Sequence, residues 1–313
     1  MVPTNIEAGV LVLFAALIVD RLIGDPHSLW HPVAILGRFI GFWGRPERYS
    51  PGIQHFVGII FWVVTVALFA LPFYCFAAVS PWYIYLVAGP FLLKSCFAWR
   101  ALEEHTLAVV TALKDGVENG RTQVKMMVSR ETANLGREQI LSAGYESMTE
   151  NITDSIISPL FYFSLFGLAG AAVYRAANTM DAMLGYRDER IQLGWCSARM
   201  DDILNFLPAR LTVLFLLLYF SIKGRFSSTV RVIRRDSHKR PGFNGGIVMA
   251  AMAGGIGIRF EKPGVYTIGD GERTLDGAGP DILRASRFVT LAFAALAGGT
   301  LFLLGSLINN IGI

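Results

Sequence analysis

Charge is scarce in this chain, and what is missing narrows its class before any motif is read. Of 313 residues only 17% are charged, against 53% hydrophobic residues and a mean hydropathy of +0.47. That balance is too apolar for an ordinary soluble domain and too charged for a bundle of bare spans, which leaves a polytopic membrane protein with polar loops. Cysteine is nearly absent: Cys75, Cys96 and Cys196 show no metal-type pairing, and two of them fall in apolar runs, so buried small side chains are expected. There is no basic leader and no small-residue cleavage site ahead of Arg21, so residues 6–19 read as a retained helix. The net charge of +4 and pI of about 9.0 come from basic residues beside apolar spans with no interleaved aromatics. Nucleic acid is therefore not an expected partner, whereas anionic headgroups and phosphorylated substrates are.

What is present reads as helix almost throughout. Residues 53–79, with Pro72 inside, and 82–99 form a predicted transmembrane hairpin about the Ser80-Pro81 turn. That turn carries no Lys or Arg, while residues 20–52 hold Arg21, Arg38, Arg45 and Arg48, so the turn is placed outside and the basic side in the cytoplasm. Residues 100–154 predict a helical cytoplasmic hairpin broken near Gly116 to Gly120. Residues 155–175 are apolar but hold Pro159, Gly167 and Gly170, and read as a kinked or re-entrant segment. A further span lies over 203–222, and from Lys223 to Arg240 seven basic residues face one acid, Asp236, as a cytoplasmic, membrane-facing cluster. The stretch 241–260, rich in Gly and Ala, allows close backbone approach and is no Walker loop, since no GKS or GKT follows. A Gly-rich loop over 264–281 then leads to a last span, 288–308. The expected fold is an all-α membrane bundle of about 4–6 spans, one integral domain over 1–313 with 100–154 and 223–287 as large polar segments. One difficulty stands: if 155–175 and 203–222 each cross once, polar residues 176–202 face outside, so either they fold back or one run does not cross.

The ionisable residues cluster beside apolar runs, where an unpaired charge is costly. Glu146, Glu150 and Asp154 recur every four residues on one helix face, and no Lys or Arg lies between Arg137 and Arg175 to offset them. Such a stripe suggests a cation, most simply Mg²⁺ through carboxylates and water; the bland alternative is a solvated face. The segment DRLIGDPHSLWHPV contains Arg21, Asp25, His27 and His31. The two histidines are spaced four apart, but Pro26 and Pro32 oppose a regular helix and hence a metal pair. Arg130 lies in VSRETANL. Asn178 and Asp181 share a helix face; Arg199, Asp201, Asp202 and Asn205 precede Arg210; and Asn244 opens the Gly-rich run. Asp202 can pair with Arg199 three residues back, which leaves Asp201 facing Asn205.

These segments resemble the adenosylcobinamide-phosphate synthases of cobalamin biosynthesis. The matching stretches are DRLIGDPHSLWHPV (20–33), ESMTENITDSIISPLF (146–161), NTMDAMLGY (178–186), SARMDDILNFLPARL (197–211), FNGGIVMAAMAGGIGIRF (243–260) and DILRASR (281–287). Gly246 and Ile247 stand where that family usually shows a Trp-Pro pair. The resemblance implies a multi-pass inner-membrane enzyme joining (R)-1-aminopropan-2-ol, or its O-phosphate, to a propionate carboxylate of adenosylcobyric acid with ATP consumption. It also suggests other membrane enzymes of late cobalamin assembly as partners. A carboxylate accepts an amine only once its oxygen can leave, so ATP must phosphorylate or adenylylate it, with Mg²⁺ and cationic clamps. Glu146, Glu150 and Asp154 are the metal candidates, with Asp201 and Asp202 offered to metal-bound chemistry and His27 or His31 as base. Arg130, Arg199 and Arg210 suit phosphate, and Arg21, Asp25, Asn178, Asp181, Asn205 and Asn244 are candidate substrate contacts. A secondary transporter would show an internal repeat, and none is visible. A membrane phosphotransferase acting on lipid alcohols would need an Asp-Gly pair ahead of the Ala-Arg, which is missing.

Overall fold

Proline and glycine punctuate an otherwise helical chain. The computed structural model describes residues 3–25 and 28–311, the side chains of 3–7 and 308–311 excepted. Contacts divide it into two units: residues 1–98, 158–205 and 294–313 form the first, and 99–157 and 206–293 the second. The first opens with α1 (Pro3–Ile23), α2 (Pro32–Trp43), α3 (Gln54–Val79) and α4 (Trp82–Lys94). The second supplies α5 (Trp99–Ala112), α6 (Val117–Lys125), α7 (Arg137–Ile152) and a π-helical turn, Thr153–Ile157. The chain returns to the first unit for α8 (Ser158–Leu184) and α9 (Trp195–Leu204). It then builds α10 (Phe206–Ile222), α11 (Phe226–Asp236), α12 (Gly245–Ile256), β1 (Phe260–Lys262), β2 (Tyr266–Ile268) and the start of α13 (Gly279–Ile311) in the second.

In the first unit α2 begins at Pro32, whose fixed φ suits a first helical position, with His31 as its N-cap. Its apolar residues Leu36, Ile40 and Trp43 recur at helical spacing and bury against Ala176, Met180 and Leu184 of α8 and against Leu193. Each large side chain so buried contributes about 1.5–3 kcal/mol. Trp43 satisfies its indole N–H by donating to Thr65 Oγ1 at 3.2 Å and stacks on Phe61 at 5.2 Å, tying α2 to α3. The 26 residues of α3 reach about 39 Å, enough to cross a hydrocarbon core, and only 22% of its apolar window is buried in protein, so the remainder suits lipid. Pro72 sits inside this one helix. The partner expected for it over 82–99 is shorter than predicted. α4 has 13 residues, about 20 Å, stops at the buried Lys94 and packs chiefly on α1. Among the described residues three helices are long and apolar enough to cross a membrane, or four if the broken pair Trp195–Leu204 and Phe206–Ile222 is one span, where four to six were expected.

One of those three, Arg137–Leu184, does not run straight. Gly167 leaves helical geometry at φ 65°, ψ −155°, a left-handed setting open to glycine. Tyr162 and Tyr174 then stack with ring centroids 5.5 Å apart, although 12 residues of straight helix would separate them by about 18 Å. Ser158 Oγ and Tyr174 OH both donate to Asn205 Oδ1, at 2.6 and 2.8 Å. The chain therefore doubles back at Gly167, and the exposed Leu165 and Phe166 at its tip are apolar. This is the re-entrant alternative for 155–175, and it removes the sequence difficulty, because residues 176–202 return to the side from which Ser158 enters. The following loop agrees. A Cβ on Gly58 would meet Leu193 O at 2.1 Å, and Trp195 contacts His55 at 5.6 Å, so residues 193–195 lie at the N-terminal end of α3, beside the basic 20–52 segment.

In the second unit the predicted 100–154 hairpin is three helices. The first break falls at Leu113–Gly116, with Gly116 at φ 129°, while Gly120 is buried inside α6. A second break separates α6 from α7. α12 is buried along nearly its whole length against α10 and α11, so its Gly and Ala residues serve helix packing. The Gly-rich loop expected over 264–281 supplies β2 of an antiparallel hairpin, which pairs with β1 just before it, Phe260 opposite Ile268. Ser142 on α7 accepts from Glu261 N at 2.7 Å and fixes that hairpin. α13 begins at Gly279, well before the predicted 288.

Candidate functional site

Lys94 is the only Lys, Arg, Asp or Glu between Ile53 and Trp99, and it is buried. An ammonium removed from water needs carboxylates, and Lys94 Nζ meets Asp20 Oδ1 at 3.1 Å and pairs directly with Asp25. His31 Nε2 lies 3.9 Å from Asp25 Oδ1. Asp25 and His31 border a cavity of about 470 Å³, lined also by Ser28, Ser95 and Arg175. The Arg175 Nε is buried with no hydrogen-bond partner among the described residues. Burial lowers the His31 pKa, the Asp25 charge offsets part of that effect, and Lys94 and Arg175 lower it further, so the ring is neutral at neutral pH. Its Nδ1 accepts from Val33 N at 3.3 Å, which places the proton on Nε2. His31 thus turns its Nε2–H toward Asp25, while its Nδ1 lone pair serves the α2 cap. His27 lies outside the described residues, and Arg21 is exposed at the end of α1.

Deeper in this unit Asp201 is buried and accepts from Asn178 Nδ2 at 3.2 Å and Asn205 Nδ2 at 2.9 Å. Asn205, 1% exposed, joins that carboxylate to Ser158 and Tyr174. The predicted Asp201–Asn205 facing is present, within a network that also closes the helical hairpin. Asp202 and Arg199 pair loosely at 4.0 Å near the surface. Asp181, one turn beyond Asn178, sits where α8 ends, and its carbonyl accepts from Gly185 N at 2.7 Å.

In the second unit a cavity of about 300 Å³ is lined by Arg130, Glu146, Glu150, Arg240, Lys262 and Tyr266, among others. Glu146 accepts from Arg130 Nη2 at 3.0 Å, Tyr266 OH at 2.7 Å and Ser142 Oγ at 2.5 Å. Glu150 pairs directly with Arg240. The counter-charges absent from the acidic stripe's own helix come from residues 130 and 240, so the argument from an uncompensated stripe is corrected. Burial would weaken the charge on Arg240, but Glu150, Tyr266 and Asp154 outweigh it and hold the guanidinium protonated. Burial first, then the Glu146 charge, push Tyr266 well above the usual phenol range, so it stays a donor. Arg130 Nη1 is buried without a hydrogen-bond partner among the described residues. A resident Mg²⁺ on Glu146, Glu150 and Asp154 does not fit: two of these carboxylates are held by arginine, and no described group of three or more His, Cys, Asp or Glu is placed to hold a metal. Arg210 donates to Asn244 Oδ1 at 2.6 Å and to Phe206 O at 3.0 Å, stacked 3.8 Å over the Phe206 ring, so these two candidates meet each other.

Lys94, Arg175, Arg240 and Tyr266 were not singled out from sequence. Only Lys94 carried a readable signal, as a lone charge in a long apolar stretch.

An α-helical membrane protein with two ion-paired polar clusters, each bordering a cavity, is the class these observations define. Residues 13–289 match the CobD/Cbib protein family, and the chain belongs to it. It is 38% identical over 302 residues, 94% of this chain and 99% of the other, to the probable cobalamin biosynthesis protein CobD of Methanothermobacter thermautotrophicus. It is 44% identical over 254 residues, 80% and 82% of the two chains, to the protein of the same name from Thermococcus kodakarensis. Identity to the cobalamin biosynthesis protein CobD of Dehalococcoides mccartyi is 36% over 275 residues, covering 85% and 88%. No solved structure matches. Membership places the chain in cobalamin biosynthesis.

Proposed function

We propose that this protein forms an amide bond at the expense of ATP, joining (R)-1-aminopropan-2-ol or its O-phosphate to adenosylcobyric acid in the membrane to give adenosylcobinamide or its phosphate. The observation that carries the reading is the cluster of Asp25, His31 and Lys94 beside a cavity whose wall holds the unsatisfied Arg175 Nε. A carboxylate oxygen of the corrinoid attacks a phosphorus of ATP, and ADP or pyrophosphate leaves. The amine lone pair then attacks the activated carbonyl carbon, and phosphate or AMP departs. Arg175 suits the carboxylate before activation, since a guanidinium matches its geometry. Asp25 suits the substrate ammonium and takes its proton, while the Nε2–H of His31 donates to the oxygen that gains charge. In the second unit Arg130, Arg240 and Lys262 suit phosphate. Mg²⁺ belongs to this reading as the ion ATP brings with it, which needs few protein carboxylates.

The test is the purified protein with adenosylcobyric acid, ATP, Mg²⁺ and each amine in turn, read by mass spectrometry. The expected result is a condensed product with one amine, dependent on ATP. Absence of product from both amines, with corrinoid still bound, overturns the reading.

A further inference from the structure

The basic run from Lys223 to Arg240 is not the open cationic face its composition suggests. Arg225 pairs with Glu272, Arg231 and Arg235 with Asp270, Arg235 and Lys239 with the buried Asp236, and Arg240 with Glu150. Most of its charge is used to hold the second unit together. A local excess survives where α10 ends and α13 begins. There a cavity of about 530 Å³ gathers Lys223, Arg225, Arg273 and Arg284 against only Glu272 and Asp281. Asp281 is shared by Arg273 at 2.9 Å and Arg284 at 2.5 Å, and among the described residues Lys223 has no carboxylate partner.

What leads up to that cavity is apolar and uncovered. Leu214, Leu218 and Ile222 recur every four residues along α10 and are between 49% and 69% exposed. On α13, Leu291 is 55% exposed, two turns from Arg284. Tyr219 and Phe288 bring the two helices together at 5.1 Å, and the Lys223 ammonium lies 5.9 Å from the Tyr219 ring centre. On both helices an exposed aliphatic residue gives way to an aromatic and then to a cation: Leu218, Tyr219 and Lys223 at the end of α10, and Leu291, Phe288 and Arg284 on α13. That sequence reproduces the layers of a bilayer leaflet, with acyl chains against the stripe, the tyrosine at the interface and Lys223 and Arg284 at the depth of the phosphates.

We propose that the end of α10 and the start of α13 form a binding site for one anionic phospholipid, with its phosphate between Lys223 and Arg284 and its acyl chains along Leu214, Leu218 and Ile222. The occupant is a lipid and not a soluble phosphate because the cations continue an exposed apolar stripe, which a soluble ligand would leave uncovered. The cavity shares no lining residue with those assigned to the condensation.

Native mass spectrometry of the full-length protein, purified in detergent and offered equal phosphatidylglycerol and phosphatidylcholine, tests this. Wild type is expected to retain phosphatidylglycerol preferentially. Lys223→Gln should lower that preference about fivefold, and Lys223→Gln with Arg284→Gln about thirtyfold, since each cation near the membrane surface adds about 1 kcal/mol to anionic-lipid binding. Arg234→Gln, an exposed cation outside the cavity, should leave it unchanged. Because Lys223 makes no ion pair among the described residues, its variant tests the site without breaking a salt bridge of the fold. Equal retention of the two lipids, or an undiminished preference in Lys223→Gln and in the double variant with wild-type circular dichroism, overturns the proposal. Displacement of the bound lipid by millimolar pyrophosphate or MgATP also overturns it, and would assign the cations to a soluble phosphate.

Discussion

Asn205→Ala tests the helical hairpin more directly than any other single change. The side chain is 1% exposed, accepts from Ser158 and Tyr174 through one oxygen and donates to Asp201 through its nitrogen. Removing it strands two buried hydroxyls and takes one of the donors from a buried carboxylate, which keeps Asn178. A buried polar group left short costs about 1–3 kcal/mol, so the three together predict a loss of about 3–9 kcal/mol. That is a large share of the roughly 5–15 kcal/mol that holds a domain. Tyr174→Phe removes one donor and leaves Asn205 still bonded to Ser158, for a loss of about 1 kcal/mol. Unfolding in mixed micelles with rising dodecyl sulfate, followed by circular dichroism, measures both. The decisive quantity is the double-mutant cycle. If both side chains act through the same bond, Tyr174→Phe should cost far less in the Asn205→Ala background than in wild type. Strict additivity, or a loss below about 1 kcal/mol for Asn205→Ala, would refute the closure of the hairpin through Asn205.

The His31 pKa lies below its ordinary value of about 6.5, so below that pH the unfolded chain binds more protons than the folded one and stability falls with pH until the folded pKa is passed. The melting midpoint of wild type should drop through this window, while His31→Asn, which keeps a capping acceptor, should not; matching curves would remove His31 from the account. Because Arg240 neutralises Glu150, Glu150→Gln should weaken the fold and leave the Mg²⁺ dependence of product formation unchanged, and a raised Mg²⁺ requirement would restore the cation to the stripe. In a background without native cysteines, Gly52→Cys and Glu189→Cys should react with an impermeant thiol reagent from one membrane face and Ser80→Cys from the other. Labelling of Glu189→Cys together with Ser80→Cys would show that residues 155–184 cross after all.

Composition and periodicity were enough for the helical membrane class, and the stretches over 20–33, 146–161 and 197–211 were enough for the family, because apolar runs and local motifs are written in consecutive residues. Gly167 marked a break, and the i to i+4 spacing placed Asp201 against Asn205. Local spacing could not reveal which charges meet across the fold. The acidic stripe looked unbalanced because Arg130 and Arg240 lie 16 and 90 residues from the carboxylates they pair with. Lys94 is 69 residues from Asp25, and no helical period links them. The basic run looked free for the same reason, since Asp270 and Glu272 arrive from the loop after the β hairpin. The direction taken at Gly167 was also beyond the sequence: a glycine permits a left-handed turn, but only the shared bonds of Ser158 and Tyr174 to Asn205 decide that the helix folds back. Likewise the spacing in DPHSLWHP could not show that His31 Nδ1 accepts from Val33 N and so carries its proton on Nε2. Secondary structure and family follow from short-range order, whereas charge pairing, proton position and chain reversal depend on groups that only the tertiary fold brings within hydrogen-bond distance.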